Sequence, residues 1–166
     1  MRVTRVHTFH HPIDDCWTMF HDPASHVAKF EAMGHRDLQV LEQDVDDDSI
    51  RLVLERVVDV DVPSFAKRVI SPSNTLRSED HWTRAADGTC SGTFTLETKG
   101  VPIDISGTTL LTPVDDDPDA TSYEITIEMK VKVPVIGGRI SSVAKGIVER
   151  QIDDEFRLGD EWLAAH

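Results

Sequence analysis

The residue types that carry chemistry are present in this chain, but their spacing is uninformative for most classes of active site. His7, His10, His11, His21, His26 and His35 are scattered through the N-terminal part, and none belongs to an HExxH pair or another compact ligand pattern. No metal site is therefore predicted. The two cysteines, Cys16 and Cys90, lack CxxC spacing, and read as small core residues, not as a disulfide or a zinc ligand set. Gly137-Gly138 lacks the rest of a phosphate-cradling loop and reads as a backbone pivot. No dinucleotide fingerprint and no GxSxG elbow occurs. The sequence thus assigns no catalytic residue and no cofactor.

One acid–base candidate depends on strand register. Leu76–Arg84 and Thr89–Thr98 flank Ala86-Asp87-Gly88 as a hairpin. A two-residue turn at Asp87-Gly88 would put Arg77, Glu79 and His81 on the face of Phe94, making His81 beside Glu79 an acid–base pair. A type I turn with a glycine bulge at Gly88 shifts the pairing by one and puts Ser78, Asp80 and Trp82 there instead. The second register is favoured, because burying Trp82 gains far more apolar area than burying His81.

The elements that would position such residues are legible in the hydrophobic pattern. Residues 2–10 alternate as a first strand, with Val3, Arg5, His7 and Phe9 to one side. Pro12–His21 and Ala24–Met33 carry apolar residues at helical spacing, separated by Asp22-Pro23 and ended by Gly34. Strands are expected over 35–45 and 49–62, joined by Asp46-Asp47-Asp48. In the second of these, Ile50, Leu52, Leu54, Val58, Val60 and Val62 share a face that Arg56 interrupts. Further strands follow at 76–84, 89–98 and 103–112, and an acidic loop over 115–120 leads to the last. There Tyr123, Ile125, Ile127, Met129, Val131 and Val133 alternate with polar residues, as in an antiparallel sheet with one face in water. Gly92 and Gly107 fall inside strands and fit a sharply bent sheet.

After Gly138 the period becomes helical. Ile140, Val143, Ile147, Ile152, Phe156, Trp162 and Leu163 trace a stripe along a helix from about 139 to 163, on the order of 37 Å long. Such a helix must bury its stripe on the sheet. Gly146 inside it either lets the helix approach the sheet or enlarges a space beneath. Asp153, Asp154, Glu155, Asp160 and Glu161 crowd the end of this helix, where its dipole disfavours negative charge. Between strands, 63–74 is too long for a tight hairpin and carries Phe65, Val69 and Ile70. It is expected to form either a lid over a cavity mouth or a short helix packed on the sheet edge.

Composition narrows the function classes. The chain has 166 residues, 39% of them hydrophobic, which suits one ordinary domain spanning 1–166. A formal charge of -13, from 30 acidic against 17 basic residues, argues against nucleic acid and anionic membrane surfaces as partners. The longest apolar runs are far below the ~20 residues of a membrane span, and the alternating N-terminus lacks a signal-peptide block. The expectation is a cytoplasmic protein without stable membrane insertion.

The order strand, two short helices, six strands and long helix, with VPVIGGRI leading into the final helix, resembles the START-like superfamily, also called SRPBCC, helix-grip or pollen-allergen-like. VPSFAKR, SEDHW and VPVIGG look like a bacterial branch of it, and the last also resembles carbon-monoxide-dehydrogenase-subunit-G-like members. The resemblance implies an α+β fold of about seven strands, with a curved antiparallel sheet and long C-terminal helix enclosing a cavity. In that superfamily the cavity often holds a sterol, lipid, polyketide or other apolar molecule. Some members are cyclases, aromatases or dehydratases, while others carry ligands or bind a chaperone. No catalytic motif of an enzymatic branch matches here, so none is carried over. From pattern alone the inward apolar residues fill a solid core; with the resemblance they become candidate ligand-binding walls. These are Leu52, Leu54, Phe65, Trp82, Phe94, Leu96, Ile105, Tyr123, Ile125, Ile127, Met129, Ile140, Val143 and Ile147. The leading reading is noncatalytic binding of a small apolar or amphipathic ligand. The alternatives are a cyclase- or dehydratase-type enzyme acting on such a ligand, and a protein-interaction module with a vestigial cavity, its protein partner left open.

Overall fold

The alternation of Tyr123, Ile125, Ile127 and Met129 with charged and hydroxylated neighbours admits one arrangement, apolar side chains inward. In the computed structural model, which describes Met1–His166, these residues lie on β7 (Asp117–Val131) and all four are buried. The other elements are β1 (Arg2–Phe9), α1 (Ile13–Phe20), α2 (Pro23–Ala32), β2 (Arg36–Asp46), β3 (Ser49–Asp59), β4 (Ser73–Arg84), β5 (Cys90–Thr98), β6 (Ile103–Val114) and α3 (Gly137–Ala165). All seven strands form one antiparallel sheet in the order β1-β7-β6-β5-β4-β3-β2. This is the expected α+β helix-grip arrangement. No helix is long and apolar enough to cross a membrane.

Some boundaries move. β7 begins at Asp117, because the acidic stretch closes as a tight turn in which Asp116 takes a left-handed conformation (φ 61) and Val114 pairs with Asp117. β3 ends at Asp59 instead of Val62. β4 starts at Ser73, upstream of Leu76. Segment 63–74 forms a short 3₁₀ turn, Ser64–Ala66, with Ala66 and Ile70 buried and Phe65 stacked under the Arg139 guanidinium.

The β4–β5 hairpin adopts the second register. Gly88 has φ +88, its N–H donates to the Ala85 carbonyl at 2.9 Å, and the Ala85 N–H donates to the Thr89 carbonyl at 2.8 Å. Asp80 then pairs with Phe94 and Trp82 with Gly92, so Trp82 is buried and His81 points outward. The Glu79–His81 candidate is thereby removed; Glu79 instead binds Arg51 at 2.8 Å on the outer face.

Gly92 and Gly107 serve close approach. Pairing passes through both without a register shift. A Cβ on Gly107 would overlap Phe94 Cζ, and one on Gly92 would lie 2.9 Å from the Trp82 ring. Each aromatic ring therefore lies across the glycine of the next strand, flat on the sheet.

α3 is 29 residues long, about 44 Å at ~1.5 Å per residue. Its buried line is Ile140, Ala144, Val148, Ile152, Phe156, Gly159 and Leu163, a steeper stripe than the apolar residues alone suggested, with Val143, Ile147 and Trp162 on its flanks. Gly159 admits the Phe9 ring, which would sit 2.8 Å from a Cβ there. Gly146 does neither of the things expected of it. It faces a surface cleft, where a Cβ would meet only Arg150, at 3.5 Å.

The acids of α3 that oppose its dipole find partners. Asp153 pairs with Arg5 at 2.6 Å, Asp160 with His7 at 2.9 Å, and Glu155 with Lys29 at 2.8 Å. Arg157 answers both Asp154 and Glu161. Exposed pairs add little to stability, but those to Arg5 and His7 tie the helix to β1.

Two glycine substitutions should shift stability in opposite directions. Gly107→Ala, which overlaps Phe94 and the Thr126 carbonyl, should cost about 1–3 kcal/mol. Gly146→Ala should add about 0.5–1 kcal/mol of helix stability. Urea denaturation of both variants measures this, and equal effects would refute the packing described.

Candidate functional site

Between the concave sheet face and α3 lies a mainly apolar cavity of about 210 Å³. One water needs roughly 10–15 Å³, so the space suits a molecule and not a lone solvent. Trp82, Phe94, Leu96, Ile105, Tyr123, Ile125, Ile127 and Ile147 of the expected wall line it. The remaining candidates lie elsewhere. Leu52 and Leu54 have the right parity, but they are sealed under Phe30 of α2. Met129 and Ile140 are consumed in core packing, and Phe65 is engaged by Arg139. Val143 lines the outer cleft beside Gly146. Of segment 63–74, Ile70 and Asn74 reach the cavity, while Phe65 and Val69 pack on the core around it.

The sequence reading missed the polar side of this cavity. His26, Lys29, His35, Arg56, Ser78, Asp80, Gln151 and Glu155 also line it, brought from α2, the residue after Gly34, β3, β4 and α3. The available signal was parity. Arg56 interrupts an otherwise apolar face, and the chosen register turns Ser78 and Asp80 inward.

Two relays organise these groups. In the first, Arg56 Nε donates to His35 Nδ1 at 3.1 Å and Nη1 donates to Ser78 Oγ at 2.7 Å. A guanidinium only donates, so His35 Nδ1 must accept and its proton must sit on Nε2, which donates to Gln151 Oε1 at 3.2 Å. His35 is therefore neutral. Burial, then the nearby Arg56 charge, push its pKa down to about 4. Arg56 is only 3% exposed, stacks on Phe30 at 3.8 Å, and makes no ion pair; burial lowers its pKa to about 10.

In the second relay, Tyr123 Oη donates to Glu155 Oε1 at 3.3 Å, while Glu155 Oε2 binds Lys29 Nζ at 2.8 Å. Burial, then Glu155, raise the tyrosine well above its ordinary range. Lys29 and Glu155 stand between this cavity and a second cleft of about 270 Å³, formed by α2 and the end of α3.

Asp80 makes no hydrogen bond or ion pair within the protein, and burial raises its pKa against the opposing pull of His26, Lys29 and Arg56. His26 is buried and donates from Nε2 to the Phe20 carbonyl at 2.7 Å, leaving Nδ1 without a partner; burial, then Lys29, lower its pKa. Asn74 Oδ1 and Thr109 Oγ1, from two further lining residues, are also buried without partners. Cys16 and Cys90 are buried free thiols, both pushed up to about 11 chiefly by desolvation, which leaves them unreactive.

The curved sheet gripping a long helix over a cavity is a START-like (SRPBCC, helix-grip) fold, and solved structures share it. TTHA0849 from Thermus thermophilus superposes with TM-score 0.68 at 11% identity, covering 99% of this chain and 98% of its own. The Zhui aromatase/cyclase from Streptomyces sp. R1128 gives 0.68 at 15%, covering 99% and 93%. Norcoclaurine synthase from Thalictrum flavum gives 0.64 at 11%, covering 100% and 87%. At such identities these likenesses show the fold. Residues 4–163 match the family described as protein of unknown function (DUF2505), and the chain belongs to that family. No curated protein matches the sequence.

The neutral His35 sets a pH dependence. Above its unfolded pKa of 6.5 it costs nothing. As pH falls from 6.5 towards 4 the unfolded chain takes up a proton that the folded site refuses, so stability is lost over that window, by about 1–3 kcal/mol for this group once solvent screening is allowed for. His26 acts in the same direction. In His35→Asn, whose amide oxygen can still accept from Arg56, the fall in urea-unfolding free energy between these pH values should shrink by about that amount. An unchanged profile would show that His35 is not held neutral.

Proposed function

We propose that this protein binds a small amphipathic molecule in the cavity beneath α3. The observation that carries the reading is the cavity's two-sided wall. Phe94, Leu96, Ile105, Ile125, Ile127 and Ile147 offer an apolar bed, while Arg56, Asp80 and His26 present unmatched polar atoms to the same space. Binding sites for small molecules have this composition. Removal of apolar ligand surface from water, at about 25 cal/mol per Å², would drive entry. A vestigial cavity in an interaction module has no use for such groups. The named aromatase/cyclase and norcoclaurine synthase use the same fold, which lends support at the level of the fold alone.

Anilinonaphthalene sulfonate should brighten on mixing with the native protein, and native mass spectrometry should retain a bound small molecule. Ala144→Phe fills the cavity from the helix side and should abolish both signals while the protein stays folded. Dark probe with the wild type, or undiminished signal in the variant, would overturn the reading.

A second reading is favoured by Asp80, an acid with no hydrogen-bond partner in the protein, and His26, a base whose Nδ1 is free, in one cavity. They equip the site for proton transfer of the kind that cyclisation and dehydration need. If it turns its ligand over, a ligand loaded onto Asp80→Asn will differ in mass from that recovered from the wild type, for example by one water. Identical masses and identical chromatographic retention would leave binding as the activity.

A further inference from the structure

Two cationic side chains line the cavity, and they differ in one respect. Lys29 is paired with Glu155, whereas Arg56 has only neutral partners. We infer that the ligand carries a single negatively charged head, a carboxylate, seated on Arg56, with its apolar body over Phe94, Leu96, Ile105 and Ile127. This rests on the binding reading above and adds the chemistry of the head group.

The guanidinium has five N–H donors. One goes to His35 and one to Ser78, so three lack an acceptor in the protein. The group is 3% exposed, and a charge withdrawn from water is costly unless an opposite charge meets it. Asp80 and Glu155 act on it only through space. Glu155 is already held by Lys29 and Tyr123, and Asp80 makes no hydrogen bond or ion pair with Arg56. No acidic side chain of the protein therefore meets the guanidinium fork directly. A carboxylate supplies one negative charge and two coplanar acceptors matching the guanidinium fork. A phosphate dianion would bring a second charge with nothing to meet it. The Phe30 ring against the guanidinium, with His35 and Ser78 bonded to its nitrogens, holds the fork in position before any ligand arrives.

The test is calorimetric titration of the full chain with decanoate and with decanol, which share an apolar body and differ in charge. The wild type should bind decanoate at least tenfold more tightly. Arg56→Met, which keeps an unbranched stem without charge, should bind both about equally. Arg56→Lys should keep part of the preference, since the charge remains and the fork is lost. Equal affinities in the wild type, or an undiminished preference in Arg56→Met, would overturn the carboxylate assignment while leaving ligand binding intact. Failure of both compounds to bind would count against the binding reading, and this inference with it. The wild-type ratio and Arg56→Lys serve even if Arg56→Met does not fold.

Discussion

A long helix with an apolar stripe, laid on an apolar sheet, gains free energy with every Å² it covers, so contact along its whole length would be the default. Here that contact is made at the ends. Phe9 rests on Gly159 and Tyr123 meets Phe156 edge-on towards the C-terminal part, and Ile140 is fully enclosed near the start. Between them, α3 turns Ala144, Gln151 and Glu155 to the cavity along with Ile147 and Val148. Gln151 and Glu155, one turn apart, reach His35 on one side and Lys29 and Tyr123 on the other. Those bonds set how near the helix can come. Collapse onto the sheet would orphan buried polar groups at about 1–3 kcal/mol each, which opposes the apolar gain.

The sheet contributes to the same hollow by keeping its aromatic rings low. Phe94 and Trp82 would project into the space if their neighbours carried Cβ atoms; Gly107 and Gly92 let them lie flat. The polar relays reach the cavity from the α2 side, through Lys29 and the His35 that follows it, and α2 also covers Leu52 and Leu54. One short helix therefore seals one stretch of the sheet and brings the polar groups to the next.

What the sequence disclosed follows from what periodicity encodes. Alternation over 123–131 specifies a sheet face, and the Trp82 argument specifies the hairpin register. Parity says which residues point inward, but not which element covers them, so Leu52 and Leu54 look identical to Leu96 until α2 is in place. On α3, counting only apolar residues passed over Ala144 and Gly159, whose value is small size, and Gln151 and Glu155, whose partners are far away in the chain. The polar site was illegible as a motif because its parts come from five segments. It was legible only as a set of inward positions, Arg56, Ser78 and Asp80, that break the apolar rule without explanation.

That breach separates fold from function here. The neighbours at 11–15% identity share the frame, and a frame of this kind needs no charge on its concave face. Even buried charges that are paired can often be replaced by well-packed apolar side chains without loss of stability, and an unpaired one costs more to bury. Stability alone therefore does not account for Arg56, and its bonds to His35 and Ser78 satisfy only part of its donor capacity. A ligand that supplies the missing acceptors stabilises the folded form by mass action, by about 2.7 kcal/mol at a hundredfold excess over its dissociation constant. On this argument the protein alone is the incomplete state, and the occupied cavity is the one in which the Arg56 fork is matched.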